Sequence, residues 1–262
     1  MPQIHKSQGQ PSRRFYLYAL VTFTHCHSIP ILKLEIFEHP NILHTVFEFL
    51  QELFAAAMET SANATEWAMS ELLRHRHAMK KLQEEIESVV GQHGKVKESD
   101  LATMKYLHCV VKETLRLHPS LPLAIPHASM EAVKVGEYYI PKQTMVIMNL
   151  WAIGRDPTVW GADALEFKPE RFMAQMEEHG MDLSGGQSDF RMLPFSAGRR
   201  GCPGSAMAIV SVEFGLAQLV RSFDWRVEGD PSELDMREKS ATTMPRQTPL
   251  FAYPTLRSPR CL

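Results

Sequence analysis

A chain of 262 residues, 44% apolar and 22% charged, has the length and composition of a globular protein with one large core or two modest ones. Lys plus Arg total 28 against 30 for Asp plus Glu, and a net charge of -2 argues against whole-molecule attraction to nucleic acid or anionic lipid. Cys26, Cys109, Cys202 and Cys261 form no C-x-x-C pair and no zinc spacing, so neither a disulfide framework nor a structural metal is expected, and a reducing compartment is.

Residues 1–40 show no sustained hydrophobic period, and His5, His25, His27 and His39 do not fall at metal-site spacings, so an irregular segment is expected. The apolar run from Phe15 to Phe23 is roughly half of what a bilayer requires, and no membrane span is expected in this chain. From Asn41 to about His75 there is neither Pro nor Gly, and the apolar positions Ile42, Val46, Phe49, Leu50, Leu53, Phe54, Ala57 and Met58 predict a long, mostly buried helix. A second helix, His77 to Val90, carries opposite charges three or four residues apart on a solvated face and stops at Gly91.

Ser99-Asp100 suits a short capped turn, and Met104 to Leu117 reads as an amphipathic helix stopped by Pro119. Val133–Ile140 and Thr144–Met148 are expected to pair antiparallel across Pro141-Lys142. Residues 156–204, rich in Pro and Gly, predict a long irregular segment rather than a packed element. Ser205 to Phe223 reads as a strongly apolar helix, and the run ending at Pro254 as a last short strand. No internal repeat is visible.

The segment Phe195-Ser-Ala-Gly-Arg-Arg-Gly-Cys-Pro-Gly204 sets one cysteine in a Gly-rich loop ahead of an apolar helix. Backbone N–H groups of the turn and helix N-terminus, with Arg199 and Arg200 nearby, favour a thiolate there. Gly198, Gly201 and Gly204 leave room for a flat group to approach the backbone. A lone cysteine in such a loop is otherwise an ordinary buried or free thiol.

The spacing F-x-x-G-x-R-x-C-x-G, filled by Phe195, Gly198, Arg200, Cys202 and Gly204, resembles the haem-binding loop of the cytochromes P-450. Two further motifs stand in the family's order before it: Glu113-Thr-Leu-Arg116 and Pro169-Glu-Arg-Phe172. On the long helix, Ala56-Ala-Met-Glu-Thr-Ser61 resembles the family's oxygen-activation stretch, with Ala57 standing where the family usually has Gly. Trp151, Arg155 and Asp156 in WAIGRDPTVW, with the DFRMLPF run, resemble the plant microsomal, A-type branch.

The resemblance implies a mainly helical fold with a minor β part, the C-terminal half of the cytochrome P-450 fold, with residues 1–40 unassigned and 41–262 as a truncated haem-binding region. It implies haem b with Cys202 as the axial iron ligand, pushing electron density onto iron. It implies that Arg200 and His127 contact haem propionates, and that Glu113, Arg116 and Arg171 form a buried structural ion network. Glu59 and Thr60 would serve oxygen activation by relaying protons; taken alone, a mid-helix Thr bonds back to its own turn.

The activity implied is insertion of one oxygen atom from O2 into a hydrophobic or aromatic plant small molecule. Electrons would come from NADPH through NADPH-cytochrome P-450 reductase, at the cytosolic face of the endoplasmic reticulum membrane. Leu53 to Met58, Ser120 to Pro126 and Thr242 to Pro245 resemble the segments where the family meets its substrate. The alternative is a truncated haem-binding fragment without catalysis, its haem face and distal lid exposing apolar surface. Complete family members are roughly twice as long.

Overall fold

Residues 40–91, 94–174 and 190–257 are described by the structure, a computed structural model, with side chains described from residue 45 onward. Residues 1–39 of the irregular segment expected at 1–40 lie outside the described residues, and Pro40 opens a helix.

The uninterrupted helical stretch read from the sequence forms α1, Pro40–Arg74. His75 breaks the helix and α2, Arg76–Val90, follows. On α2 Arg76, Lys80 and Glu84 are exposed while Ala78, Leu82 and Ile86 are buried, the stripe expected of a half-buried helix. A 3-10 turn, Glu98–Thr103, is closed by Asp100, whose carboxylate accepts the Lys97 N–H at 2.8 Å. Helix α3, Lys105–Leu117, is capped by another helix: Glu85 of α2 accepts the N–H groups of Tyr106 and Leu107 at 2.7 and 2.9 Å. Two of the orphan donors at a helix start are thereby satisfied.

Two short helices precede the motif-bearing loop. In α4, Leu150–Ile153, the Asn149 side chain accepts from Ala152 N–H at 3.0 Å; in α5, Pro157–Trp160, Asp156 accepts from Thr158 N–H at 2.9 Å. Helix α6 runs Ser205–Ser222. The core lies where α1, α2, α3 and α6 meet, filled by Ala68, Met69, Leu72, Leu82, Ile86, Leu107, Val110, Val212, Leu216 and Val220. Each fully buried side chain of this size contributes roughly 1.5–3 kcal/mol.

The architecture is mainly helical with little sheet, as the sequence implies, but five local expectations need correction. The strands expected to pair across Pro141-Lys142 do not. Instead β2, Val133–Val135, folds back onto β3, Tyr138–Ile140, through Gly136, whose φ of +58° suits a tight hairpin. Ser129 occupies the polar groups of the Pro141–Thr144 turn: its hydroxyl donates to Pro141 O at 2.7 Å and accepts from Thr144 N–H at 2.9 Å. So β4, Met145–Val146, pairs with β1, His127–Ala128.

At the other end, Phe223 opens β5, Phe223–Arg226, rather than ending α6, and the last strand is β6, Tyr253–Leu256, which begins just before the expected strand ends at Pro254. The region expected to be irregular is packed in its described parts, burying Ala164, Phe167, Phe172 and Met192. Finally, α1 is buried only in its second half. Trp67, Ala68, Met69 and Leu72 are enclosed, whereas Phe47, Phe49, Leu53, Phe54 and Met58 are exposed among the described residues.

Candidate functional site

The glycine-rich loop is a tightly hydrogen-bonded turn. Gly198–Arg200 forms a 3-10 turn in which Gly201 N–H bonds Gly198 O at 3.0 Å, and Cys202 N–H bonds Phe195 O at 2.9 Å. Gly198 takes φ +75°, a conformation that glycine adopts without steric cost. A Cβ at Gly201 would press on Gly198 O at 3.3 Å. Phe195 packs against the core, while Cys202 is exposed three residues before α6 begins. Arg200 is exposed and has no hydrogen-bonding or ionic partner among the described residues. His127 is half-buried in β1, opposite Val146.

Behind this loop, Glu113 and Arg116 lie fully inside the protein, one helical turn apart on α3. The pair is bidentate: Arg116 Nε to Glu113 Oε2 at 2.7 Å and Nη2 to Oε1 at 2.8 Å. Arg171 Nε and the Lys168 backbone N–H each add a bond to Glu113 Oε1 at 2.8 Å. The remaining Arg116 donors reach Gly154 O at 2.5 Å, Ala164 O at 2.7 Å and Glu166 O at 3.1 Å. One buried guanidinium thus satisfies three carbonyls of the segment linking α4 to the Pro169–Phe172 turn. Burial opposes the Arg171 charge, but the hydrogen bond and charge of Glu113 outweigh it, and its pKa is raised.

On α1, the Thr60 hydroxyl donates to Ala56 O at 2.7 Å, within its own turn. Its carbonyl accepts from the Ser120 hydroxyl at 3.1 Å. Glu59 accepts a hydrogen bond from the Thr243 hydroxyl at 2.5 Å. Trp67 Nε1–H donates to Met244 O at 2.8 Å, and Met244 N–H donates to Ser120 O at 3.0 Å. Two of the three segments read from the sequence as substrate-facing, residues 120–126 and 242–245, are therefore joined by a backbone bond and tied by side chains to Glu59, Thr60 and Trp67 of α1, beyond the third segment, residues 53–58. Leu53, Phe54, Met58, Leu123 and Ile125 are exposed among them.

Sequence reasoning missed a second buried polar cluster. His118 Nε2 lies 2.7 Å from Glu71 Oε1, and its Nδ1 lies 3.7 Å from Glu238 Oε1. Glu238 also accepts from Trp151 Nε1 and Arg155 Nη2, both at 2.8 Å. Burial opposes the Glu71 charge, but His118 and His75 outweigh it and hold this carboxyl down at about 2. A further buried pair, His108 with Glu213, joins α3 to α6. No local pattern marks either cluster, because each is assembled from distant parts of the chain.

The family profile for cytochrome P-450 matches residues 31–251. The chain belongs to the cytochrome P-450 family. It is 82% identical over 210 residues to cytochrome P-450 750A1 of Pinus taeda, covering 80% of this chain and 40% of that protein. It is 44% identical to a flavonoid 3'-monooxygenase of Arabidopsis thaliana and 46% identical to a geraniol 8-hydroxylase of Catharanthus roseus, each time over 78% of this chain and 40% of the relative. A zebrafish cytochrome P-450 solved with progesterone superposes with a TM-score of 0.67 at 28% identity, covering 79% of this chain and 44% of that one. The chain therefore spans about 40% of the length of the curated relatives it matches.

Membership in the cytochrome P-450 family implies haem, and the loop suits such a group. It offers one exposed thiol, a glycine-lined backbone, and at Arg200 a guanidinium without a partner among the described residues, suited to an anionic edge. Among the described residues no helix is long and apolar enough to cross a membrane.

Proposed function

We propose that this chain belongs to a monooxygenase that inserts one oxygen atom of O2 into a hydrophobic or aromatic plant small molecule. The balance is substrate, O2, NADPH and a proton giving hydroxylated substrate, water and NADP+. Electrons are relayed by NADPH-cytochrome P-450 reductase at the cytosolic face of the endoplasmic reticulum. When bound, haem b supplies the iron at which O2 is reduced. Cys202 Sγ would hold its iron, Arg200 and His127 would hold its propionates, and Gly198 and Gly204 would keep side chains out of its way. Phe195 holds the cysteine turn through its carbonyl, and Glu113, Arg116 and Arg171 brace the segment behind.

Glu59 and Thr60 hold water and pass on the protons that the balance consumes. The Thr60 hydroxyl is donated to Ala56 O, so it acts toward water as an acceptor unless it rotates. The observation that carries the proposal is the exposed Cys202 thiol at the mouth of α6, within a turn whose bonds leave its side chain outward. The exposed apolar side chains at Leu53, Phe54 and Met58 support an apolar substrate.

The test is the reduced carbon monoxide difference spectrum of the purified chain reconstituted with haem, beside Cys202→Ala. A Soret band at the wavelength that names the family, lost in the variant, is the expected result. Its absence, or survival in the variant, overturns the assignment of Cys202. The internal bond at Thr60 favours a second reading, haem binding without turnover, and product formation with reductase and NADPH separates the two.

A further inference from the structure

We infer that Thr243 is a positioning residue for Glu59, setting the direction in which that carboxylate faces the reaction site. The inference rests on the reading of Glu59 as a proton-handling group given above. A glutamate near the exposed middle of a helix has three side-chain torsions and no reason to hold one rotamer. Here one oxygen is claimed: the Thr243 hydroxyl donates to Glu59 Oε1 at 2.5 Å, a bond closing between residues at opposite ends of the described chain. Oε2 is left as the oxygen that handles water. A charge-assisted O–H···O bond of this length is directional and among the stronger kinds.

Thr243 can act this way because the turn that carries it is itself fixed. Thr243 and Met244 are buried although Thr242 beside them is exposed. Both backbone polar groups of Met244 are used, the carbonyl by Trp67 Nε1 at 2.8 Å and the N–H by Ser120 O at 3.0 Å. Ser120 in turn donates its hydroxyl to Thr60 O at 3.1 Å. The hydroxyl at 243 is thus delivered to Glu59 from a frame tied at two points to the helix that bears Glu59, by Trp67 two turns on and by Thr60 next to it. Threonine suits the place, since its branched side chain has few rotamers and carries a donor.

The test uses Thr243→Val, which keeps shape and removes the donor, Thr243→Ser, which keeps the donor, and Glu59→Ala, which removes the acceptor. In the haem-reconstituted chain under carbon monoxide, the infrared C–O stretch reports the polar groups above the haem without any turnover. One narrow band is expected for the unsubstituted chain and for Thr243→Ser, and a broadened or split band for Thr243→Val. A Thr243→Val band identical to the parent overturns the inference. A double-mutant cycle of Thr243→Val and Glu59→Ala in urea unfolding of the full chain gives a second reading, independent of haem. Coupling of about fivefold in the folding constant is expected for a partly exposed bond of this kind, and additivity overturns the inference. Failure of the carbon monoxide complex to form strikes the proposed function alone, and the cycle still decides the role of Thr243.

Discussion

His118 lies flat against Trp67, ring centroids 3.9 Å apart and planes 3° from parallel. The stack joins the end of α3 to the buried half of α1 and leaves both His118 nitrogens facing carboxylates, Glu71 on α1 and Glu238 near the C-terminal turn. Trp67 also grips Met244, so one aromatic pair ties three parts of the fold around a charge cluster.

The first prediction concerns that cluster. The Glu71 pKa is lowered from 4.5 to about 2, so Glu71 contributes stability that is full above 4.5 and lost as pH falls toward 2. The His75 pKa is raised above 6.5 chiefly by its hydrogen bond to Glu71, so its contribution is full below 6.5 and lost as pH climbs through the raised value. Glu71→Gln is expected to flatten both limbs of a plot of urea midpoint against pH. At neutral pH it should cost about 3 kcal/mol, the free energy that corresponds to lowering the Glu71 pKa from 4.5 to about 2. Parallel plots for variant and parent would contradict this.

Glu113 gives the second prediction. Its two oxygens serve two guanidiniums and a backbone N–H with no solvent to replace them. Glu113→Gln is expected to lower unfolding free energy by about 3–5 kcal/mol, measured by urea denaturation. Arg116→Lys should do nearly as much harm. A lysine cannot span Glu113 and the carbonyls of Gly154, Ala164 and Glu166 at once, since it lacks the planar fork.

That network shows how much the sequence discloses. Glu113 and Arg116 sit at helical spacing, so their proximity is local and readable, and the family's motif order adds Arg171. The helices were legible for the same reason, a period carried within each stretch. What failed was partner choice. Which strand meets β4 depends on Ser129 taking the turn's hydrogen bonds, and no spacing within residues 133–148 contains that information. The Glu71, His118 and Glu238 cluster is likewise invisible, because its members come together only when α1, α3 and the C-terminal turn pack. The exposed first half of α1 misled the reading for another reason: an apolar pattern reports what a face is suited to meet, not what covers it.

Two cysteines make the third prediction. Cys109 is buried on α3, and burial, with the Glu85 charge, pushes its thiol up to about 12. Cys202 is exposed. Iodoacetamide at mildly alkaline pH, followed by peptide mass mapping, should label the Cys202 peptide and spare the Cys109 peptide until denaturant is added, because only the accessible thiolate reacts. Haem bound at Cys202 should slow labelling there without changing Cys109. Equal labelling of both peptides in the native chain would show that α3 is not packed as described.

Two glycines that look alike in the sequence, each beside or within a helix, give opposite expectations. Gly154 follows α4 at φ -68°, a backbone that alanine accepts, so torsion is no obstacle. A Cβ there would lie 2.2 Å from the Arg116 carbonyl oxygen, which belongs to the last turn of α3 and cannot swing aside like a side chain. Relief requires α4 to move off α3, and that movement also draws the Gly154 carbonyl away from Arg116 Nη1. Gly154→Ala is therefore expected to destabilise by about 3 kcal/mol through overpacking and loss of that bond. Gly215 sits inside α6 with nothing within 4 Å of a built Cβ. Gly215→Ala should stabilise by up to about 1 kcal/mol, because alanine is the better helix former. Thermal and urea unfolding of the two variants side by side checks both signs, and a harmless Gly154→Ala would mean that α3 and α4 do not approach as closely as the structure has them.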